Sequence, residues 1–365
     1  MVIDSTNKQL GFGCMRMKMA DDQVDYDEFS KMIDAFMAAG FRYFDTAHGY
    51  IGGKSETALR DCLVARYPRD SYILADKLSE WFFEKEEDVE AVFNKQLEQC
   101  GVEYFDFYLF HCLMRTSYQK HKQCKTFETV QRLKAEGKIK HIGMSFHDTA
   151  DILDMILTEQ PYIEVVQLQI NYLDEDDPAV QSQACYDVAV KHGKKVIVME
   201  PVKGGTLVNL PDKAAALFDN LNGGSYASYA LRYAASYPEV FMVLSGMGTV
   251  AMMEDNINTF INFAPLNEEE RKATALAREY IREARQIPCT ACNYCADVCP
   301  KQIPISELFA TYNQFTNAKI TAAEAKEQFP KDKATAADCI ACGKCEGVCP
   351  QSISIRENLE KIAKL

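Results

Sequence analysis

From residue 10 to about residue 262 the chain alternates between two patterns. Short runs of β-branched and aromatic residues predict strands at Leu10–Met15, Arg42–Asp45, Tyr72–Asp76, Phe105–Phe110, His141–Ser145, Val165–Ile170, Lys195–Met199 and Phe241–Leu244. Between and after them, apolar residues at helical spacing predict helices near 27–39, 54–66, 87–100, 123–136, 148–158, 178–192, 225–236 and 250–261. Eight strands, each followed by a helix, predict a (β/α)8 barrel, the TIM-barrel architecture of the α/β class. A doubly wound open sheet competes, but it usually has fewer strands and a glycine-rich first turn. No G-x-G-x-x-G follows a strand in this chain.

Past Pro265 the pattern changes. The segment LNEEERKATALAREYIREARQ is acidic early and basic late, the order that suits a helix dipole, and predicts a linking helix over 265–287. Two further segments, ISELFATYNQ and ITAAEAKEQF, are helical in pattern. They lie between two copies of one cysteine spacing: Cys289, Cys292, Cys295 and Cys299 before Pro300, then Cys339, Cys342, Cys345 and Cys349 before Pro350. The expected division is a barrel over 1–264, the linker over 265–287, and a small helical, dicluster ferredoxin-like domain over 288–365.

The doubled spacing is that of bacterial-type ferredoxins, in which the fourth cysteine of each run ligates the other run's cluster. It predicts two [4Fe–4S] clusters. One is held by Cys289, Cys292, Cys295 and Cys349, the other by Cys339, Cys342, Cys345 and Cys299. Zinc also takes four thiolates, but its sites usually present two cysteine pairs a dozen or more residues apart. The other six of the fourteen cysteines have no framework spacing, which argues against a disulfide scaffold and for a reducing compartment. A net charge of −13 argues against nucleic acid or an anionic membrane surface as the main partner. With no visible secretory signal and no apolar run long enough to span a bilayer, the expected location is the cytoplasm.

Four polar residues fall at or just beyond the C-terminal ends of early strands, where a barrel builds its active site. They are Asp45, Tyr50, Lys77 and His111. A lysine ammonium beside a phenol favours phenolate and readies it for proton transfer. Asp45 is placed to orient the lysine, and His111 to hydrogen-bond a substrate oxygen.

Around these residues the sequence resembles the aldo-keto reductase family. The resemblance rests on Phe44-Asp45-Thr46-Ala47-His48-Gly49-Tyr50, Gly53-Lys54-Ser55-Glu56, His141-Ile142-Gly143-Met144-Ser145, Gln167-Leu168-Gln169-Ile170-Asn171-Tyr172 and Glu200-Pro201-Val202-Lys203-Gly204-Gly205. Ser245-Gly246-Met247-Gly248 with Asp255-Asn256 matches less well. Together with the cysteine runs, the chain resembles ferredoxin-fused members of that family.

The resemblance implies NAD(P)-dependent transfer of hydride to a small carbonyl substrate, or from an alcohol, with Tyr50 as general acid–base. It implies that Ser145, Asn171 or Gln167 grip the nicotinamide carboxamide and that Tyr172 stacks on its ring. Pro201, Lys203 and Gly204 would line the pyrophosphate, Gly246 would lie at the cofactor, and Asp255 and Asn256 at adenine. Of Gln167 and Gln169, one is expected to face the barrel interior and the other the helices.

Gly248 and Met252 stand where many NADPH-using members carry basic residues, which leaves NADP, NAD or another cofactor open. Hydride chemistry moves two electrons and a cluster moves one, and flavin is the usual go-between. Three readings therefore stand: a carbonyl oxidoreductase whose clusters serve a redox-protein partner or support assembly, a flavin-linked electron-transfer enzyme, or a non-catalytic redox sensor.

Overall fold

The structure is a computed structural model that describes residues 9–221, 223–284, 287–317 and 319–365. The first eight residues, expected within the barrel, and residues 285–286 of the expected linker lie outside the described residues. By spatial clustering the chain forms two compact units, Met1–Pro201 with Ser228–Leu266, and Val202–Ala227 with Asn267–Leu365.

In the first unit, eight parallel strands close into a barrel among the described residues. They are β1 (Gln9–Gly13), β2 (Tyr43–Asp45), β3 (Ile73–Ser79), β4 (Phe105–Leu113), β5 (Ile139–Phe146), β6 (Val165–Gln169), β7 (Lys195–Met199) and β8 (Val240–Ser245), each paired to its neighbour and β8 to β1. Alternation decides which side chains go where. Tyr43, Ala75, Phe107, Leu109, Val165, Ile197 and Met242 fill the barrel. Their neighbours Phe44, Leu74, Tyr108, Phe110, Val166 and Val198 join the shell beneath the helices. At Gly143 in β5 a Cβ would lie 2.6 Å from Val165 Cγ2, so only glycine lets β5 and β6 meet at that point.

The helices α1 (Tyr26–Ala38), α2 (Lys54–Leu59), α3 (Glu86–Cys100), α4 (Thr126–Ala135), α5 (Ala150–Glu159), α6 (Ser182–Lys191), α7 (Tyr226–Ala235) and α8 (Val250–Ile261) fall close to the predicted stretches. Two more were not expected: Arg115–Gln123 and Asp212–Asp219. The first, RTSYQKHKQ, has too few apolar residues to show a helical stripe.

The second unit differs from the expected division in one segment. Val202–Ala227 was expected to be barrel but clusters with the C-terminal residues. The physical reason is packing: helix Asp212–Asp219 lies against α9 (Glu268–Glu283), where Lys213 Nζ sits 5.8 Å from the Tyr280 ring centre. Helix α9 takes the place of the predicted linker and is capped as its sequence suggests, Asn267 and Glu270 forming a reciprocal capping box. Helices α10 (Ile305–Thr316), α11 (Ala322–Gln328) and α12 (Ile355–Ala363) follow. Ile303, Ile305, Leu308, Phe309, Ile353, Ile355 and Leu359 form a core against which the cysteines pack. No helix among the described residues is long and apolar enough to cross a membrane.

Candidate functional site

The inward-facing end of β3 organises the barrel's polar cluster. Lys77 is 1 % exposed, and its ammonium donates to Asp45 Oδ1 on β2, to the Thr46 carbonyl at 2.7 Å and to the Tyr50 hydroxyl at 3.2 Å. Three oxygens thus meet its three N–H groups, which is what a buried ammonium requires. Burial opposes the Lys77 charge, but the Asp45 carboxylate and Tyr50 outweigh it and hold its pKa above the ordinary lysine value. Tyr50 reaches the cluster from the turn after β2, with its ring 5.8 Å from that of His111.

His111, on β4, is paired in register with Ser79 on β3, whose hydroxyl hydrogen-bonds its Nδ1. Burial, then the positive charge of Lys77, push the His111 pKa well below the usual histidine value, so the ring is neutral near pH 7. All four predicted residues are brought together. Ser79 was missed because the predicted strand stopped at Asp76. The available signal was its spacing of two from Lys77, which places both on one face.

Deeper in the mouth one expectation needs correcting. Gln167 and Gln169 are two apart, so the pleat sends both side chains to the same face, and that face is the interior occupied by Val165. Both are buried, and neither Gln167 Oε1 nor Gln169 Nε2 has a hydrogen-bond partner. One missing donor and one missing acceptor suit a primary carboxamide such as nicotinamide's. Ser145 Oγ accepts from the Cys112 N–H at 2.8 Å and is also buried here.

Asn171 does not have that freedom. Its amide donates to Asp174 Oδ2 at 2.8 Å and to the Glu200 carbonyl at 3.1 Å, and its oxygen accepts from the Leu173 and Asp174 N–H groups at 3.0 Å. A side chain with four bonds made is a loop brace, and the carboxamide grip expected of it is not the arrangement seen. Tyr172 is buried edge-on to Tyr233. Asn256 donates to Ser245 Oγ at 2.7 Å and braces the end of β8, with half-buried Asp255 beside it in α8. A Cβ on Gly246 would meet Arg16 at 3.1 Å, so Arg16, which sequence reading passed over, lies beside the β8 turn that lacks an arginine of its own.

Buried Pro201 closes the first segment of the barrel unit, whereas Lys203 and Gly204 belong to the second. Lys203 is 2 % exposed and donates to Gln351 Oε1, and Gly204 packs on Thr290. The pyrophosphate role expected of Lys203 is therefore not the arrangement seen either, since its ammonium is engaged beside the cysteines.

In the second unit the eight cysteines gather around two cavities. Cys289, Cys292, Cys295 and Cys349 line one. Cys299, Cys339, Cys342 and Cys345 line the other. The backbone repeats itself at an offset of 50 residues. Left-handed φ values recur at Ala291 and Ala341, Asn293 and Gly343, and Gln302 and Ser352. Left-handed residues between right-handed ones turn successive N–H groups to one side, the nest geometry of anion and iron–sulfur sites. Thiolate-lined cavities with such nests fit iron–sulfur clusters.

A second buried polar group, not anticipated, sits outside the barrel beneath α2 and α3. Glu56, Asp76 and Cys100 converge there, and His48 Nδ1 lies 2.9 Å from Glu56 Oε2. Burial raises the Glu56 pKa to about 7; burial, then the Glu56 charge, raise that of Asp76 well above the usual range. Burial thus favours the protonated forms of this carboxyl pair.

Comparison with known proteins finds two families along the chain. Residues 9–277 match the aldo/keto reductase family and residues 288–353 a 4Fe-4S dicluster domain. The chain is 26 % identical over 268 residues to L-galactose dehydrogenase of Arabidopsis thaliana, covering 68 % of this chain and 82 % of that protein. It is 22 % identical to an uncharacterized oxidoreductase of Bacillus subtilis, covering 73 % and 90 %. Among solved structures, an aldo-keto reductase of Bacillus halodurans in its holo form superposes with a TM-score of 0.62 at 23 % identity, covering 74 % of this chain and 91 % of that one. One from Klebsiella pneumoniae in complex with NADPH gives 0.60 at 20 %, covering 75 % and 92 %.

Proposed function

Since the chain belongs to the aldo/keto reductase family and carries a 4Fe-4S dicluster domain, we propose that it is an NAD(P)-dependent oxidoreductase of small carbonyl compounds or alcohols with Tyr50 as its general acid–base. The reading is carried by one observation: the Tyr50 hydroxyl lies 3.2 Å from Lys77 Nζ, which is itself bound by Asp45, with neutral His111 alongside. A nicotinamide, when bound, would supply hydride for the carbonyl carbon. Tyr50 gives its hydroxyl proton to the carbonyl oxygen, and the Lys77 ammonium stabilises the phenolate left behind. Neutral His111, with Nδ1 held by Ser79 and its ring beside that of Tyr50, orients the substrate oxygen. In the reverse direction Tyr50 takes the alcohol proton as hydride leaves.

Gln167 and Gln169 hold the carboxamide, with Ser145 beside them. Arg16 lies beside the β8 turn at Gly246, and Tyr172, Asp255 and Asn256 shape the remaining cofactor wall. The two cysteine sets hold [4Fe–4S] clusters that exchange single electrons with a redox-protein partner.

The test uses anaerobically purified protein. Iron and acid-labile sulfide are measured, the extracted cofactor is identified, and NADH or NADPH oxidation is followed with a panel of small aldehydes and ketones. Tyr50→Phe is expected to lower carbonyl reduction by about 10²–10⁴-fold. Unchanged turnover in that variant removes Tyr50 as the acid. Extracted flavin without nicotinamide-dependent turnover transfers the barrel to the flavin-linked reading.

A further inference from the structure

We propose that His48 is a positioning residue for Tyr50. Through Nδ1 it ties the turn that carries Tyr50 to the buried Glu56 carboxyl, part of the polar group that also holds the Lys77 backbone. The inference rests on the reading of Tyr50 as general acid–base.

The Tyr50 turn is closed on itself and strained at one residue. The Tyr50 N–H donates to the Ala47 carbonyl at 2.9 Å, and its carbonyl accepts from the Gly53 and Ser55 N–H groups at 3.1 and 3.3 Å. Ile51, next in the chain, has a φ of 54°. A β-branched residue keeps that left-handed conformation only where its surroundings impose it. Two side-chain links close the turn around it. Thr46 Oγ1 and Ser55 Oγ lie 2.7 Å apart, and Ser55 donates on to the Cys14 carbonyl at 2.7 Å. His48 Nδ1 lies 2.9 Å from Glu56 Oε2 and 3.2 Å from Oε1, and Glu56 is 0 % exposed. The second link is the nearer to Tyr50, since His48 stands two residues before it. The Phe82 ring packs edge-on against the His48 ring, with centroids 4.7 Å apart.

The same polar group holds Lys77 from behind. Strand β2 ends with Asp45 opposite Ala75, so β3 runs on past its neighbour. The Ile73 N–H and the Ala75 carbonyl face β2, where they bond Arg42 and Thr46. Alternation turns the Lys77 N–H and carbonyl to that same side, beyond the end of β2. Side chains take the place of the missing strand. Asp76 Oδ1 accepts from the Lys77 N–H at 2.7 Å, and Gln96 Nε2 donates to the Lys77 carbonyl at 3.0 Å. Asp76 and Glu56 in turn present oxygens within 4.8 Å of each other. The pleat sends Asp76 outward and Lys77 inward. From outside the barrel, the group thus grips two backbones whose side chains meet inside it, Lys77 Nζ and the Tyr50 hydroxyl being 3.2 Å apart. Loss of the His48 link frees the turn to relax at Ile51 and carries the Tyr50 hydroxyl off its aligned position.

The experiment sets steady-state kinetics on an aldehyde that the full-length wild type reduces beside amide hydrogen exchange read by mass spectrometry. In His48→Ala, kcat should fall about 10–10²-fold with KM little changed, because placement of the acid is lost and binding is not. Exchange should quicken in the peptide spanning residues 46–56 and stay as it was elsewhere in the barrel. His48→Asn sets an amide nitrogen where Nδ1 was and should recover most of kcat and of the protection. His48→Gln sets its nitrogen where Nε2 was and should recover neither. If His48→Ala does not fold, the Asn and Gln variants decide, and equal kcat in the two sinks the proposal. Faster exchange throughout the barrel would make His48 a general stabiliser and overturn its positioning role. Tyr50→Phe turning over like wild type removes the acid–base reading itself. A slow Tyr50→Phe beside a His48→Ala at wild-type kcat overturns only the role of His48.

Discussion

Lys77 Nζ lies 3.2 Å from the Tyr50 hydroxyl and 4.7 Å from the centre of its ring, so the phenol that is to give up a proton sits directly against a buried ammonium. That ammonium is in turn neutralised by Asp45, 3 % exposed in the same mouth. Two roles are thus fused in Lys77, one chemical and one structural, and they separate by mutation. Lys77→Met alone leaves Asp45 buried without its partner, expected to cost about 3–5 kcal/mol of stability. The double variant Asp45→Asn with Lys77→Met removes both charges and should recover most of the melting temperature. Carbonyl reduction should stay about 10²–10⁴-fold down in both. Recovery of turnover along with stability would mean that Lys77 acts only as a structural cation.

The two amides at the end of β6 and beyond it should behave in opposite ways. Gln167 has a buried acceptor without a partner, whereas Asn171 has all four hydrogen bonds made. Gln167→Leu is expected to weaken nicotinamide dinucleotide binding about 3–10-fold with little loss of stability. Asn171→Ala should instead cost on the order of 3 kcal/mol of stability. Fluorescence titration with the dinucleotide, set beside thermal melts, reads both effects. The assignment fails if Asn171→Ala weakens binding while leaving the melt unchanged.

Much of this was legible in the chain. All eight barrel strands, and the four rim residues, follow from apolar runs and the polar residues that end them. Strand ends were less legible, since β3 runs on through Lys77 to Ser79 and β4 through His111 to Leu113. Polar inward residues look like loop in one dimension, yet at a barrel mouth they alternate with apolar outward ones. Long-range engagement was not legible at all. A glycine pair after Lys203 suggests a phosphate turn until Gln351 and Thr290 are seen to hold it, and no local pattern announces partners so distant in sequence.

The buried carboxyls beneath α2 give a pH prediction with an unusual sign. Glu56 titrates at about 7 in the folded protein, raised by burial from 4.5. Between those values the folded chain holds a proton that the unfolded chain has lost, so this group's contribution is fully present below 4.5 and is lost as pH rises to 7. The loss is about 3 kcal/mol. Glu56→Gln keeps the shape and removes the ionisation, and the groups facing it stay in place: His48, Asp76, Gln96, Lys95 and Cys100. Its melting temperature relative to wild type is therefore expected to improve from pH 5.5 to pH 8. A constant difference across that range would place the titration elsewhere.

Gly204 sets a steric requirement on cluster assembly. At φ +60° it occupies a region that L side chains rarely adopt, and an added Cβ would sit 2.5 Å from Thr290 Cα and 2.8 Å from the Thr290 carbonyl oxygen. Both are backbone atoms, so relief requires moving the chain next to Cys289, not turning a rotamer. Moving it displaces one wall of the cavity that Cys289 shares with Cys292, Cys295 and Cys349. Gly204→Ala is therefore expected to lower iron and acid-labile sulfide per chain, with the deficit confined to one of two paramagnetic signals. Gly205→Ala is the matched control: it shares the left-handed backbone, but its Cβ would meet nothing closer than the Asn209 amide at 3.6 Å. It should carry the conformational cost, about 1 kcal/mol, and keep its iron. Equal iron loss in both variants would assign the defect to backbone strain in the turn, whereas loss in Gly204→Ala alone assigns it to the contact with Thr290.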